Sequence, residues 1–342
     1  MSSMNKLKVL LLVAAVAQLI ALSSCNNSTS TTVLGNWSRQ TPFKGKPRSG
    51  AASFIIDDKL YLGLGYNGST YFTDFYEWDQ TKGFWSSKAP FPGERRERSA
   101  SFSINGKGYV GTGYNRDSLN AYLGDFWEFD PAANTWTRKA DFLGTPRYNA
   151  IGFAIGNKGY IGTGYDGSTN GDMFEYDPNS NTWSEIESFP GQKREAATVV
   201  VDGESAYIFG GRDNGLTNLD FYKFTPGSSA IYTDLRTTTD KGWYSTFQLA
   251  VQRQYGIGFM MNNKLYVATG TGSNNGALKT CFEYDPSNGV WTKKTDFEGS
   301  PRTAARGWVI GGRAFIGTGE SGSSRFDDVW EFKPNDTFDA NN

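Results

Sequence analysis

Three short patterns recur along this chain in the same order and at the same offsets, which restricts it to a fold of equivalent units stacked or closed in a ring. In the first, an aromatic residue is followed six residues later by Phe, eight later by Gly and eleven later by Arg. The copies are Trp37/Phe43/Gly45/Arg48, Trp85/Phe91/Gly93/Arg96, Trp136/Phe142/Gly144/Arg147, Trp183/Phe189/Gly191/Arg194 and Trp291/Phe297/Gly299/Arg302. The second is an apolar run ending in glycine, at residues 60–65, 108–113, 159–164, 206–211, 265–270 and 314–319. The third alternates polar and aromatic residues, at 74–79, 125–130, 172–177, 220–225, 280–285 and 328–333.

Each pattern reads as a strand, because β-branched and aromatic residues suit a pleated, half-buried surface and the glycines admit a close backbone neighbour. Two-residue turn signals separate apolar runs at Asp57-Asp58, Asn105-Gly106, Gly156-Asn157, Asp202-Gly203, Asn262-Asn263 and Gly311-Gly312. The unit is therefore a four-stranded antiparallel meander of about 50 residues. The 41 glycines and 15% aromatic residues fit many short strands joined by tight turns. Tyr232 takes the sixth aromatic position, so six units are expected: an all-β, six-bladed β-propeller. The chain opens on a Trp strand and ends after the sixth polar-aromatic strand. The strand of Trp37 should accordingly complete the last blade and close the ring, leaving no exposed sheet edge. One blade is irregular. Counted from Tyr232, the repeated Arg should fall at 243, yet the alignable segment starts at Arg253, an insertion of ten residues containing Trp243 and Tyr244.

These strands resemble kelch repeats from Trp37 to Pro334, although only Gly210-Gly211 keeps the double glycine of that family. Two enzymes with kelch-like propellers bear on function. Galactose oxidase holds copper through histidines; this chain has no histidine, so that activity does not carry over, and no metal or cofactor is expected. The bacterial sialic-acid mutarotase or epimerase acts on a sugar that bears a carboxylate. In kelch domains of ubiquitin-ligase adaptors, arginines entering the innermost strand line a pocket for acidic peptide side chains. The resemblance implies the same for Arg48, Arg96, Arg147, Arg194, Arg253 and Arg302, while their repetition in every blade equally fits an architectural role.

Residues 1–24 read as a secretory leader: Lys6 and Lys8, then an apolar run from Val9 to Leu22 too short to span a bilayer comfortably. Leu22-Ser23-Ser24-Cys25 resembles the bacterial lipobox, which implies a lipid on Cys25, a tether over 25–33, a single propeller domain over 34–334 and a tail over 335–342. Without Lys6 and Lys8, 32 basic residues face 35 acidic ones. Such a balance draws the chain neither to nucleic acid nor to anionic lipid, so contact with the membrane is expected only through the anchor at the cell envelope. Cys281 then lacks a disulfide partner and reads as a small buried hydrophobe.

Within the ring, the loops entering the first strand and leaving the second open on one face around the axis. Residues there that break the repeat are the better candidates for specificity: Tyr66, Tyr114, Tyr165, Arg212 and Glu320, with Trp243 from the insertion. Aromatic faces suit sugar rings and arginines suit carboxylates. The expected function is a non-catalytic binding module of a cell-envelope lipoprotein, recognising an acidic glycan or protein segment at the axial pocket. A carbohydrate-active enzyme such as a sialic-acid mutarotase, or a scaffold within an envelope complex, are the alternatives. A Cys25→Ala variant is expected to lose incorporation of labelled palmitate; label retained in that variant rules out lipidation at this cysteine.

Overall fold

In the computed structural model, residues 33–238 and 248–341 are described. They form six four-stranded antiparallel sheets, each ordered as a simple meander from its first strand to its fourth. Blade 1 runs through Ala52–Ile56, Lys59–Gly63, Phe75–Asp79 and Phe84–Lys88, and the pattern repeats in blades 2 to 5. Blade 6 joins Arg306–Ile310, Arg313–Gly317 and Val329–Lys333 to Asn36–Gln40 from the start of the domain. The closing pair runs from Asn36 opposite Lys333 to Gln40 opposite Val329. The architecture is the six-bladed propeller the repeats predict. Two short helices, Leu235–Thr238 and Gln248–Val251, flank the irregular connection between blades 4 and 5.

The core is divided among the blade interfaces. Phe54, Tyr61 and Phe75 of blade 1 pack with Val110 and Phe129 of blade 2, and the pattern continues round to Trp308 and Phe315 of blade 6 against Leu60, Leu62 and Trp78 of blade 1. Each second strand is thus covered on both faces, which explains its almost continuous apolar character. No blade can bury its faces without both neighbours.

Cross-strand register gives the recurring Tyr and Glu their role. Tyr61, Tyr109, Tyr160 and Tyr266 lie opposite Glu77, Glu128, Glu175 and Glu283 and donate their hydroxyls to those carboxylates at 2.6–3.0 Å. In blade 4 the carboxylate is replaced by Lys223, whose ammonium lies 5.7 Å from the centre of the Tyr207 ring. The tight turns fall where expected except in blade 4, where Asp202 pairs with Ser205. That turn is Gly203-Glu204, with positive φ at Gly203 alone, so the glycine takes the first rather than the second turn position. Cys281 is fully buried against the blade 5–6 interface, and burial pushes its thiol up to about 12, which makes it inert.

The closing strand is held by more than its ladder. Trp37 is fully buried, stacks on Phe332 at 4.4 Å and meets Phe297 edge-on at 5.0 Å. Its indole N–H donates to the Thr295 carbonyl of the preceding blade at 3.2 Å. Trp136 and Trp183 reach back in the same way to Ala89 and Ala140. Deleting residues 33–42 opens the ring and exposes both a sheet edge and the Trp37 seat. The truncated protein is expected to unfold well below the parent in a thermal melt; equal melting temperatures refute the closure.

Candidate functional site

The six repeated arginines do not reach the axial face. All are fully buried. In each, Nε donates to the carbonyl two residues earlier and Nη1 to the carbonyl sixteen residues on, as when Arg48 bonds Lys46 and Leu64, both at 2.9 Å. The residue sixteen on closes the second strand in left-handed conformation, with φ between 55° and 64° at Leu64, Thr112, Thr163, Gly210, Thr269 and Thr318. Five of the arginines then fork onto the aspartate that precedes the third strand: Arg48 on Asp74, Arg96 on Asp125, Arg147 on Asp172, Arg194 on Asp220 and Arg302 on Asp328. The Phe five residues before each of these arginines lies 4.3–5.2 Å from its guanidinium. Burial works against the charged carboxyls of Asp125 and Asp328, but the facing arginine outweighs it and holds both below the ordinary value. The role is architectural, and the six arginines do not line the pocket that the adaptor resemblance implies, because every guanidinium is fully buried and engaged by carbonyls and, in five blades, an aspartate.

Blade 5 is the exception. Thr280 stands where the others carry Asp, so Arg253 bonds the Thr280 carbonyl and hydroxyl at 3.0 and 3.1 Å and meets no carboxylate among the described residues. Burial drops its pKa to about 10.

What opens on the axis is the pair of residues after each arginine. Their second members, Gly50, Arg98, Asn149, Ala196, Tyr255 and Ala304, all have φ between 50° and 59°. Each of Gly50, Arg98, Asn149, Ala196 and Tyr255 donates its N–H to the carbonyl of its counterpart in the preceding blade, at 2.7–3.1 Å. These links form a collar around the axis. For non-glycine residues the left-handed region costs on the order of 1 kcal/mol each, and the collar bonds hold them there. Arg98, Asn149 and Tyr255 thereby present their side chains at the mouth.

The mouth is a charged cluster on one side and an aromatic wall on the other. The Tyr255 hydroxyl accepts from Asn149 at 2.9 Å and from Arg98 and Arg212 at 3.4 Å, and it donates to no acceptor among the described residues. Arg212 also donates to Glu195 at 2.7 Å, while Arg98 lies 3.5 Å from both Glu97 and Glu320. Arg325 and Ser49 hold the other Glu320 oxygen, at 2.7 and 2.9 Å. Glu97 is buried, and its Oε2 accepts no hydrogen bond among the described residues. Burial pushes this carboxyl above its ordinary pKa, against the pull of Arg98 and with a further push from Glu320. Burial likewise raises the Tyr255 phenol, which stays protonated at neutral pH. The wall is built from Tyr114, Tyr122, Tyr148 and Tyr165, with Tyr122 and Tyr148 stacked 5.8 Å apart and Tyr148 meeting Tyr114 at 5.0 Å and Tyr165 at 5.7 Å.

Of the residues singled out in sequence, the structure brings Tyr114, Tyr165, Arg212 and Glu320 into this mouth. Tyr66 is buried beneath Arg116, which donates to its hydroxyl at 2.7 Å. Trp243 and Cys25 lie outside the described residues. Glu97, Arg98, Asn149, Glu195 and Tyr255 escaped the sequence reading, although a signal was present. They directly follow the conserved spacing of the Arg and differ from blade to blade, as Ser49-Gly50, Glu97-Arg98, Tyr148-Asn149, Glu195-Ala196, Gln254-Tyr255 and Thr303-Ala304. Among the described residues, no three His, Cys, Asp or Glu side chains are grouped to hold a metal.

No protein-family model and no curated protein matches the chain. Among solved structures, that of YjhT is similar, with a TM-score of 0.72 at 18% identity over 84% of this chain and 95% of that one. At this identity the likeness is one of fold.

The architectural reading of the arginines makes blade 5 a test. Thr280→Asp supplies the missing carboxylate and is expected to raise the melting temperature, by about 1 to 2 °C for each kcal/mol gained in a domain of about 300 residues. A paired aspartate has a depressed folded pKa, so the gain should be full above about pH 4 and vanish as pH falls through that depressed value. A gain that survives at pH 2, or no gain at neutral pH, contradicts the pairing.

Proposed function

We propose that the axial mouth binds a small polyhydroxylated ligand bearing a carboxylate, of the acidic-sugar class, as the recognition site of a kelch-type lipoprotein of the cell envelope. The observation that carries this reading is the convergence of Arg98, Arg212 and the free Tyr255 O–H beside a wall of tyrosines. The contacts from Arg98 to Glu97, Glu320 and Tyr255 are long, so a ligand carboxylate can replace them with shorter, paired hydrogen bonds. Tyrosine faces suit the apolar faces of a sugar ring, and the left-handed collar fixes the donors before any ligand arrives.

The carboxyl of Glu97, raised by burial and met only by the long Arg98 contact at Oε2, favours a second reading, in which the bound sugar acid is also interconverted between anomers. Ring opening removes the proton of the anomeric hydroxyl and delivers one to the ring oxygen. Glu97 as acceptor and Tyr255 as donor, on either side of Arg98, supply that pair.

N-acetylneuraminate, titrated into the protein and followed by NMR, tests both. Arg98→Ala and Arg212→Ala are each expected to weaken binding about 10- to 100-fold, the loss of one charged hydrogen-bonding group. Glu97→Gln should keep binding and lose any acceleration of anomer exchange. Binding equal in the parent and both arginine variants overturns the first reading; exchange at the uncatalysed rate in the parent overturns the second.

A further inference from the structure

We propose that the axial channel holds a small monovalent inorganic anion, of the size of chloride, against Arg306. The inference concerns a position beneath the mouth and does not depend on what the mouth binds.

Arg306 opens the first strand of blade 6, opposite Gly317. In the same register the other blades carry Ala52, Ala100, Ile151, Thr198 and Ile257, five residues without charge. A guanidinium has therefore replaced an uncharged side chain at one of six equivalent seats. It borders two connected spaces on the axis: one of about 90 Å³ within the collar, and one of about 220 Å³ beneath it, lined by the first strands of all six blades. Ser53, Ser101 and Thr198 bring hydroxyl-bearing residues to the lower space.

The group is poorly compensated. Its Nε donates to the Ala51 carbonyl, and among the described residues this is its one hydrogen bond and no carboxylate lies within ion-pair reach. The contrast with Arg48, Arg96, Arg147, Arg194 and Arg302 is direct, since each of those is held by two carbonyls and forked onto an aspartate. Burial lowers the Arg306 pKa only to about 10, so the charge persists at neutral pH. Arg306 is half-buried, reached only from the channel, and an unpaired charge so withdrawn from bulk water is costly, while neither the collar nor the channel wall offers an anion to neutralise it. The counter-charge must come from solution. One guanidinium in a space of this volume matches one small monovalent anion with its remaining water.

Crystals soaked in bromide, with anomalous data, read the site directly: a bromide peak in contact with the Arg306 guanidinium is expected. In parallel, thermal melts compare chloride with gluconate at equal ionic strength. A hundredfold excess over the dissociation constant raises the folding equilibrium constant about a hundredfold, a rise of roughly 3 to 6 °C in the parent. Arg306→Met, which removes the charge and keeps the length, should lose that chloride dependence. No bromide at Arg306 in the parent crystals, a result independent of whether the variant folds, overturns the proposal. So does an equal chloride response in parent and variant, or displacement of the bromide by N-acetylneuraminate, which would give the position to a ligand carboxylate.

Discussion

One arginine in each blade holds the ring's inner geometry. Its guanidinium gathers the carbonyl that precedes the first strand, the left-handed carbonyl that ends the second and, in five blades, the aspartate that begins the third. Three loops that would otherwise be independent are thus fixed to one planar group. Because the site is dry, the pairing is worth less as net stability than as constraint: deleting either partner strands the other, at about 3 to 5 kcal/mol. The aromatic strands make the blade interfaces, but the arginines decide where each blade's loops emerge at the axis. Everything at the mouth is positioned from them.

The repeat was legible because every blade meets the same neighbours. A residue that must pack between two sheets recurs with its environment, so Trp37, Tyr61 or Phe75 announces its role by its copies. The same logic misdirects when applied to function. The arginines stood out as six equal copies, and their equality is what marks them as internal, each met by the same two carbonyls of its blade. Arg98 and Tyr255 occupy the neighbouring positions and share with their counterparts in the other blades little but a backbone angle. That angle is invisible in the letters, since Arg98 and Tyr255 are poor residues for left-handed conformation and nothing local predicts it. The collar that imposes it is made of bonds between blades some fifty residues apart.

The mouth is accordingly an asymmetric surface carried on a symmetric frame. Identical backbone positions hold glycine, alanine, asparagine, tyrosine and arginine, and the chemistry at the axis arises from which blade carries which. Tyrosines gather over blades 2 and 3, whereas Arg98 and Arg212 converge on Tyr255 from blades 2 and 4 and Glu320 of blade 6 meets Arg98. Thr280 shows that the frame tolerates a lost pair, and Arg306 shows that an uncharged seat tolerates a charge. Both departures lie in the two blades that follow the irregular connection.

The collar has a mechanical meaning. A chain of N–H to carbonyl links runs from Ala304 through Gly50, Arg98, Asn149 and Ala196 to Tyr255, and acts as a hoop around an aperture. The inner ends of blades 1 to 4 cannot tilt outward without stretching two links, whereas blades 5 and 6, between which no such link is formed among the described residues, each stretch one. The aperture is therefore braced most firmly across blades 1 to 4.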